Sequence, residues 1–101
     1  MPIYTRRSDD GQALTIQVEG RFDFSTHQAF RDAYEHNDPS VSEYIVDLSD
    51  TTYLDSSALG MLLLLRDHAG GDNARISIRN CNVDVRRILS ISNFEQLFSI
   101  H

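Results

Sequence analysis

One continuous segment, residues 46–62, most restricts how this chain can fold. It joins an apolar run that ends at Leu48 to a polar stretch, and then to Asp55-Ser56-Ser57 at the start of a second, very apolar run. A short apolar run between polar stretches is typical of a buried strand. An Asp followed by small polar residues is a typical helix start. The segment therefore predicts a central strand over 44–48, a polar loop, and a helix from Ser56 to His68 that Asp55 caps.

Strand and helix patterns alternate before this segment. The strand-like runs 3–7 and 13–18 flank an Asp-Gly turn signal, and we expect them to form a hairpin that ends at Gly20. Ser25 and Gln28 have capping-box spacing, which predicts a helix with Ser25 as its N-cap. That helix should stop before Asn37-Asp38-Pro39.

The chain after residue 69 continues the alternation. Gly70-Gly71 should end the second long helix, and the alternating residues 74–79 should form a strand. Apolar residues within 85–89 indicate a third helix, and 94–100 a helical turn with a last strand. The order ββαβαβα(β) predicts parallel pairing with right-handed crossovers. The fold class is α/β, a small mixed sheet packed with helices, and residues 1–101 form a single domain.

Charge and cysteine content exclude several classes of function. The net charge of −6 argues against binding to nucleic acid or to anionic membranes, which both require an excess of Lys and Arg. The lone Cys81 cannot form an internal disulfide, so a reducing compartment is expected. The start of the chain lacks the apolar stretch of a signal peptide, and the longest apolar run, 58–65, is too short to span a bilayer. We therefore expect a cytoplasmic protein.

The second helix has apolar residues on nearly all of its surface. On a helical wheel Ala58, Leu62 and Leu65 share the face that should cover the sheet. Gly60, Leu63, Leu64 and Asp67 fall on the other side. Such a helix is either fully buried or presents a patch to a partner. We expect Leu63 and Leu64 to be partly exposed beside Ser56; the alternative is that they pack under neighbouring helices.

Residues typical of an enzyme or a metal site are not arranged for either role. The sequence has no Gly-x-Ser-x-Gly elbow, no Gly-rich phosphate loop and no histidine placed as a base. The four histidines show no metal-ligand spacing and should be exposed. Cys81 should be a buried apolar residue rather than a nucleophile. We expect no catalytic residue, cofactor or metal. From the local sequence alone, Ser56 and Ser57 could simply be helix-start residues.

Three stretches resemble the bacterial anti-sigma factor antagonists, which are stand-alone STAS domains. The stretch from Asp47-Leu48 through Asp55-Ser56-Ser57-Ala58-Leu59-Gly60 is similar to the family's central motif. Residues 18–23, with Gly20-Arg21-Phe22-Asp23, are similar to its turn after the second strand, and residues 85–94 to its late helix. Ala58 departs from the family's usual Gly, and we expect the C-terminal helix of many relatives to be absent or truncated here. The resemblance implies the STAS fold.

The resemblance also implies a function. In this family the serine that corresponds to Ser56 is phosphorylated. From the residues themselves we expect Ser57 to be a structural neighbour that hydrogen-bonds the backbone, and it is the weaker candidate for phosphorylation. Asp55 positions Ser56 or a kinase metal ion, and Asp23 lies near the phosphorylation site. The unphosphorylated protein binds an anti-sigma factor, often a serine kinase, and frees a sigma factor; a PP2C-type phosphatase restores this form. The expected partner surface comprises Asp23, Asp55, Ser57, Ala58, Gly60, Leu63, Leu64 and Asp67. The alternative is a STAS scaffold or ligand-binding domain without a switch.

Overall fold

The computed structural model describes residues 3–35 and 41–101. Within these residues the chain forms seven strands and three α-helices. In chain order they are β1 (Ile3–Arg7), β2 (Ala13–Val18), β3 (Gly20–Phe22), α1 (His27–Glu35), β4 (Glu43–Asp47), β5 (Thr51–Leu54), α2 (Ser56–His68), β6 (Ile76–Arg79), α3 (Val83–Ile91) and β7 (Ser99–Ile100). This arrangement confirms the predicted α/β class, with two short strands, β3 and β5, added to the predicted order.

The main sheet has five strands in the order β1-β2-β4-β6-β7. β1 pairs with β2 as the antiparallel hairpin that the sequence predicted, whereas β2, β4, β6 and β7 are mutually parallel. β4 is therefore the central strand, as predicted. Because the carboxyl ends of parallel strands meet at one edge, the connections that follow β2 and β4 lie at the same end of the molecule.

The core lies on one face of this sheet. Alternate residues of β2, β4 and β6 are buried there, because successive side chains of a strand point to opposite faces. Helices α1, α2 and α3 and the segment after α3 supply most of the rest of the core. Its members include Leu14, Ile16, Val18, Phe30, Tyr34, Tyr44, Val46, Leu62, Leu65, Ile76 and Ile78.

The prediction of a polar loop between β4 and α2 is wrong in part, because Thr51–Leu54 forms β5. This strand pairs in parallel with β3, with a register shift between Gly20 and Arg21. Thr51 is buried and its hydroxyl donates to the carbonyl of Val18 at 2.7 Å, while Leu54 is buried at the other end of the strand. The burial of these two side chains holds β5 in an extended conformation, although its sequence is largely polar.

The predicted start of α1 is also wrong. Asp23, not Ser25, is the capping residue, and it caps a short 3-10 turn over Phe24–Thr26 before α1 begins at His27. The Gln28 side chain donates to Asp32, so the predicted capping box does not form. The expected stop before Asn37-Asp38-Pro39 and the expected exposure of His36 lie outside the described residues.

The C-terminal part of the chain follows its prediction. A short 3-10 turn over Phe94–Gln96 precedes β7, and the rings of Phe94 and Phe98 stack with centroids 5.5 Å apart. Cys81 is only half-buried, although it packs against the core. No α-helix of the described residues has the length and apolar character that a bilayer crossing requires.

Candidate functional site

The N-terminus of α2 is closed by Asp55, as the sequence predicted. Its Oδ1 accepts hydrogen bonds from the backbone N–H groups of Ser57 and Ala58, both at 3.1 Å. The same oxygen accepts from the Ser57 hydroxyl at 2.6 Å. The prediction that Ser57 bonds the backbone is therefore wrong for its hydroxyl, which binds the capping carboxylate. Ser56, the first residue of the helix, is exposed to solvent.

A second helical segment begins beside the first. Phe22 and Leu54 are register partners in the β3–β5 pair, so the next residues, Asp23 and Asp55, leave neighbouring strands side by side. Asp23 Oδ1 accepts from the N–H of Ser25 at 3.0 Å and from its hydroxyl at 2.5 Å. The two aspartates thus make the same contacts with a serine two positions later. Ser56 directly follows Asp55, and Asp23 follows the strand that pairs with β5.

The turn before Asp23 depends on a glycine. Gly20 has φ +78, a conformation that L side chains rarely adopt. Its N–H donates to the carbonyl of Asp50 at 2.9 Å, which ties the start of β3 to the loop before β5. Gly20 therefore fixes the direction in which β3 leaves the sheet.

One cation lies among the carboxylates of this region. Arg21 Nε is 3.1 Å from Asp23 Oδ2, and the Arg21 guanidinium carbon is 4.1 Å from the centroid of the Tyr53 ring. The hydrogen bond from the Ser25 hydroxyl lowers the pKa of Asp23 below its usual value, and the bond from Arg21 adds to the effect. Asp23 is therefore an acceptor that stays ionised at neutral pH.

The outer face of α2 extends from Ser56 and contains the expected surface residues. Leu63 is 42% exposed and Leu64 is 51% exposed, so the alternative that neighbouring helices cover them is wrong. Gly60 and Asp67 are exposed on the same face. Leu64 and Asp67 also line a shallow cleft between α1 and α2, together with Tyr34. The helix therefore presents an apolar surface beside Ser56.

Ala58 does not lie on this surface, although it was expected there. Its side chain is completely buried with Leu62 and Leu65, because the three residues share the inner face of α2. The effect of an alanine where the family usually has glycine is therefore felt inside the core. Gly60 differs, since a Cβ added there would meet no atom within 4 Å.

Sequence reasoning missed Phe24. The side chain is 71% exposed and stacks on the His27 ring, with centroids 5.4 Å apart and an interplanar angle of 9°. Its place after Asp23 matches the place of Ser56 after Asp55. The similar spacing in Phe22-Asp23-Phe24-Ser25 and Leu54-Asp55-Ser56-Ser57 was the available signal.

The chain matches known proteins along almost its whole length. A family model described as "Mlab, STAS domain" matches residues 5–99. A STAS-domain containing protein of Pseudomonas aeruginosa strain UCBPP-PA14 is 66% identical over 100 residues, which are 99% of this chain and 99% of that protein.

Two solved structures have a similar fold. A protein from Thermotoga maritima, described as a candidate anti-sigma factor antagonist, is 17% identical with a TM-score of 0.82, and covers 97% of this chain and 84% of its own. The anti-sigma factor antagonist SpoIIAA in its unphosphorylated form is 16% identical with a TM-score of 0.73, over 98% of this chain and 86% of its own. At these identities the likeness concerns the fold, whereas the family match rests on the sequence itself. The chain belongs to the STAS domain family.

Proposed function

We propose that this protein is an anti-sigma factor antagonist controlled by phosphorylation of Ser56. In its unphosphorylated form it binds an anti-sigma factor and so releases a sigma factor. The observation that carries the proposal is the exposed Ser56 at the start of α2, with the partly exposed Leu63 and Leu64 about two turns further along the helix. The names of the structural neighbours, which are anti-sigma factor antagonists, support the same role.

The two adjacent serines are not equivalent phosphate acceptors. The Ser57 hydroxyl donates to Asp55 at 2.6 Å and the residue is half-buried. Phosphorylation of Ser57 would break this contact and bring a phosphate against the capping carboxylate. Ser56 is exposed, and its modification leaves the cap in place. Ser56 is therefore the acceptor, and Ser57 is part of the helix start.

A phosphate on Ser56 would act on binding more than on folding. It adds a charge of about −1.5 to −2 at neutral pH, and the positive end of the helix dipole tolerates it. Asp55 directly precedes the serine and opposes the phosphate charge, and we propose that Asp23, after the paired strand, adds to this opposition. A hundredfold loss of affinity corresponds to about 2.7 kcal/mol. Removing a phosphate from water against an imperfectly paired surface can cost that much.

The chemistry of the switch belongs to the partners of this chain. We propose that a serine kinase, either the anti-sigma factor itself or a separate enzyme, transfers the phosphate, and that a PP2C-type phosphatase removes it. The chain itself is the substrate, with Asp55 holding the helix start to which the kinase must bind. These reactions would take place in the cytoplasm.

The test needs a kinase and a binding measurement. The purified protein is incubated with ATP and each serine kinase of the anti-sigma type from its own genome, and its intact mass is measured. A gain of one phosphate that is lost in Ser56→Ala and retained in Ser57→Ala supports the proposal.

Binding is then measured with each purified anti-sigma factor of the same genome. We expect Ser56→Asp to bind at least tenfold more weakly than the wild type while its melting curve stays almost unchanged. Equal binding by the two proteins, or no phosphate gain, would favour a STAS scaffold without a switch.

A further inference from the structure

Phe24 exposes a large aromatic surface two residues after Phe22, and Ser56 has the corresponding position two residues after Leu54 in the paired strand. At 71% exposure Phe24 contrasts with Phe22 and Phe30, which are completely buried in the core nearby. Exposed aromatic side chains of this size are enriched at the centres of protein interfaces. Nothing in the folding of the domain requires Phe24 to be apolar, because its side chain contributes little to the core.

The position of Phe24 is fixed although its ring is exposed. It opens the 3-10 turn that Asp23 caps, and the Thr26 hydroxyl donates to the Asp23 carbonyl at 2.8 Å. The ring lies parallel to that of His27. Because the backbone and the ring are already ordered, binding would cost little additional conformational entropy. Phe24 is therefore preorganised as an anchor.

The surroundings of Phe24 define what could cover it. Asp23 precedes it, and Asp55 follows the strand that pairs with β3, so two carboxylates belong to this pair of strand ends. Arg21 partly balances only the first of these, through the contact with Asp23. A complementary surface would therefore offer an apolar pocket for the ring, with Lys or Arg side chains at the edge of the pocket.

We propose that Phe24 is the apolar anchor by which the protein binds its anti-sigma factor, in a pocket of the partner with a basic edge. This inference rests on the proposed function and adds how the partner would detect the phosphorylation state of Ser56. Because Phe24 and Ser56 occupy matching positions after paired strands, a partner that covers the ring also covers the serine hydroxyl. A phosphate on Ser56 would then have to lose water whenever Phe24 enters its pocket, so the anchor and the switch act on one contact.

The first test replaces the anchor. Binding to each purified full-length anti-sigma factor of the same genome is measured by calorimetry for wild type, Phe24→Ala and Phe24→Leu. We expect Phe24→Ala to weaken binding about 30-fold or more, the usual effect of truncating an interface anchor. Phe24→Leu should recover part of the loss. The matched control is Ile91→Ala, since Ile91 is 76% exposed at the far end of α3; it should bind within twofold of wild type.

The second test asks whether Phe24 and Ser56 share one contact. Ser56→Asp is combined with Phe24→Ala, and the four affinities form a double-mutant cycle. We expect Ser56→Asp to weaken binding far less in the Phe24→Ala background than in the wild type. Melting curves of all variants should coincide within a few degrees, because both positions are exposed.

The outcomes separate this inference from the proposed function. If wild type binds an anti-sigma factor and Ser56→Asp does not, but Phe24→Ala binds within threefold of wild type, the anchor is overturned and the switch stands. If the losses at the two positions are additive, the shared contact is overturned. If wild type binds none of the anti-sigma factors, the proposed function fails, and the anchor fails with it.

Discussion

Asp23 and Asp55 leave two register-paired strands side by side, and each accepts the N–H and the hydroxyl of the serine two residues later. The two aspartates therefore start two helical segments, the 3-10 turn before α1 and helix α2, after neighbouring strands. Each segment presents its next residue to solvent, Phe24 in one and Ser56 in the other. The site is a pair of equivalent helix starts rather than a single serine motif.

Removing the Asp55 cap should destabilise the protein measurably. Asp55→Ala leaves the N–H groups of Ser57 and Ala58 without their acceptor, and loss of an N-cap costs about 1 kcal/mol, within 0.5–2 kcal/mol. Urea unfolding followed by circular dichroism measures this difference. Asp55→Asn should lose clearly less, since Asn also caps helices. Equal losses for the two variants would show that the cap is not the cause.

Gly60→Ala should stabilise the fold and weaken binding to the proposed partner, an anti-sigma factor. Gly60 is exposed within α2, and the added Cβ would meet no atom within 4 Å. The free energy of unfolding should therefore rise by about 0.5–1 kcal/mol, while the extra methyl group keeps a partner from approaching the helix. Gly71→Ala is the control, since Gly71 has φ +62 and should lose stability instead. Unchanged binding by Gly60→Ala would place Gly60 outside the interface.

Substitution by alanine should destabilise the fold strongly at Leu65 and only slightly at the adjacent Leu64. Leu65 is completely buried, and Leu65→Ala should cost about 2–5 kcal/mol of unfolding free energy. Leu64 is half exposed, and Leu64→Ala should cost about 0.5 kcal/mol or less. Binding to the anti-sigma factor should show the reverse order for those variants that remain folded. A large loss of stability in Leu64→Ala would mean that this residue packs in the core.

The carboxyl group of Asp23 should titrate below its usual range. The Ser25 hydroxyl is the main cause and Arg21 the second, so Ser25→Ala should raise the pKa of Asp23 more than Arg21→Gln does. Carbon-detected NMR of the carboxyl group gives these values directly. The reverse order for the two variants would contradict the hydrogen-bond geometry.

The same shift has a defined sign for stability. Because folding lowers the pKa of Asp23, the carboxylate stabilises the folded state at pH values above its unfolded pKa. This contribution is lost as the pH falls through the folded pKa. The contribution of Asp23 to the free energy of unfolding should therefore become the same in wild type and Ser25→Ala at acidic pH. A difference that grows as the pH falls would have another origin.

The sequence predicts the main sheet well because its strands carry strong apolar patterns. β2, β4 and β6 alternate or are apolar throughout, and the Asp55 start of α2 follows from a local rule that needs no tertiary contact. The exposure of Leu63 and Leu64 also follows from helical spacing. These features are determined mainly by residues close together in the sequence.

The β3–β5 pair could not be predicted in the same way. Thr51 and Leu54 are the only buried residues of β5, and the burial of Thr51 depends on the carbonyl of Val18, far away in the sequence. Asp23 replaces Ser25 as the cap because β3 carries the chain directly into a 3-10 turn. The pairing puts Phe24 and Ser56 at matching positions after two paired strands, and this pairing joins distant parts of the chain.

The parallel pairing of β3 with β5 has a consequence for the order of folding. Parallel neighbours are joined through long connections, and such non-local contacts form late because the loops between them must close first. The β2–β4 pair joins residues 30 positions apart and the β3–β5 pair joins residues 31 or 32 positions apart, so in both cases a long loop must close first. A peptide that carries only residues 46–68 would contain the serine and its cap but neither Asp23 nor Phe24. In a newly made chain the two helix starts can accordingly meet only after the chain has been made through β5.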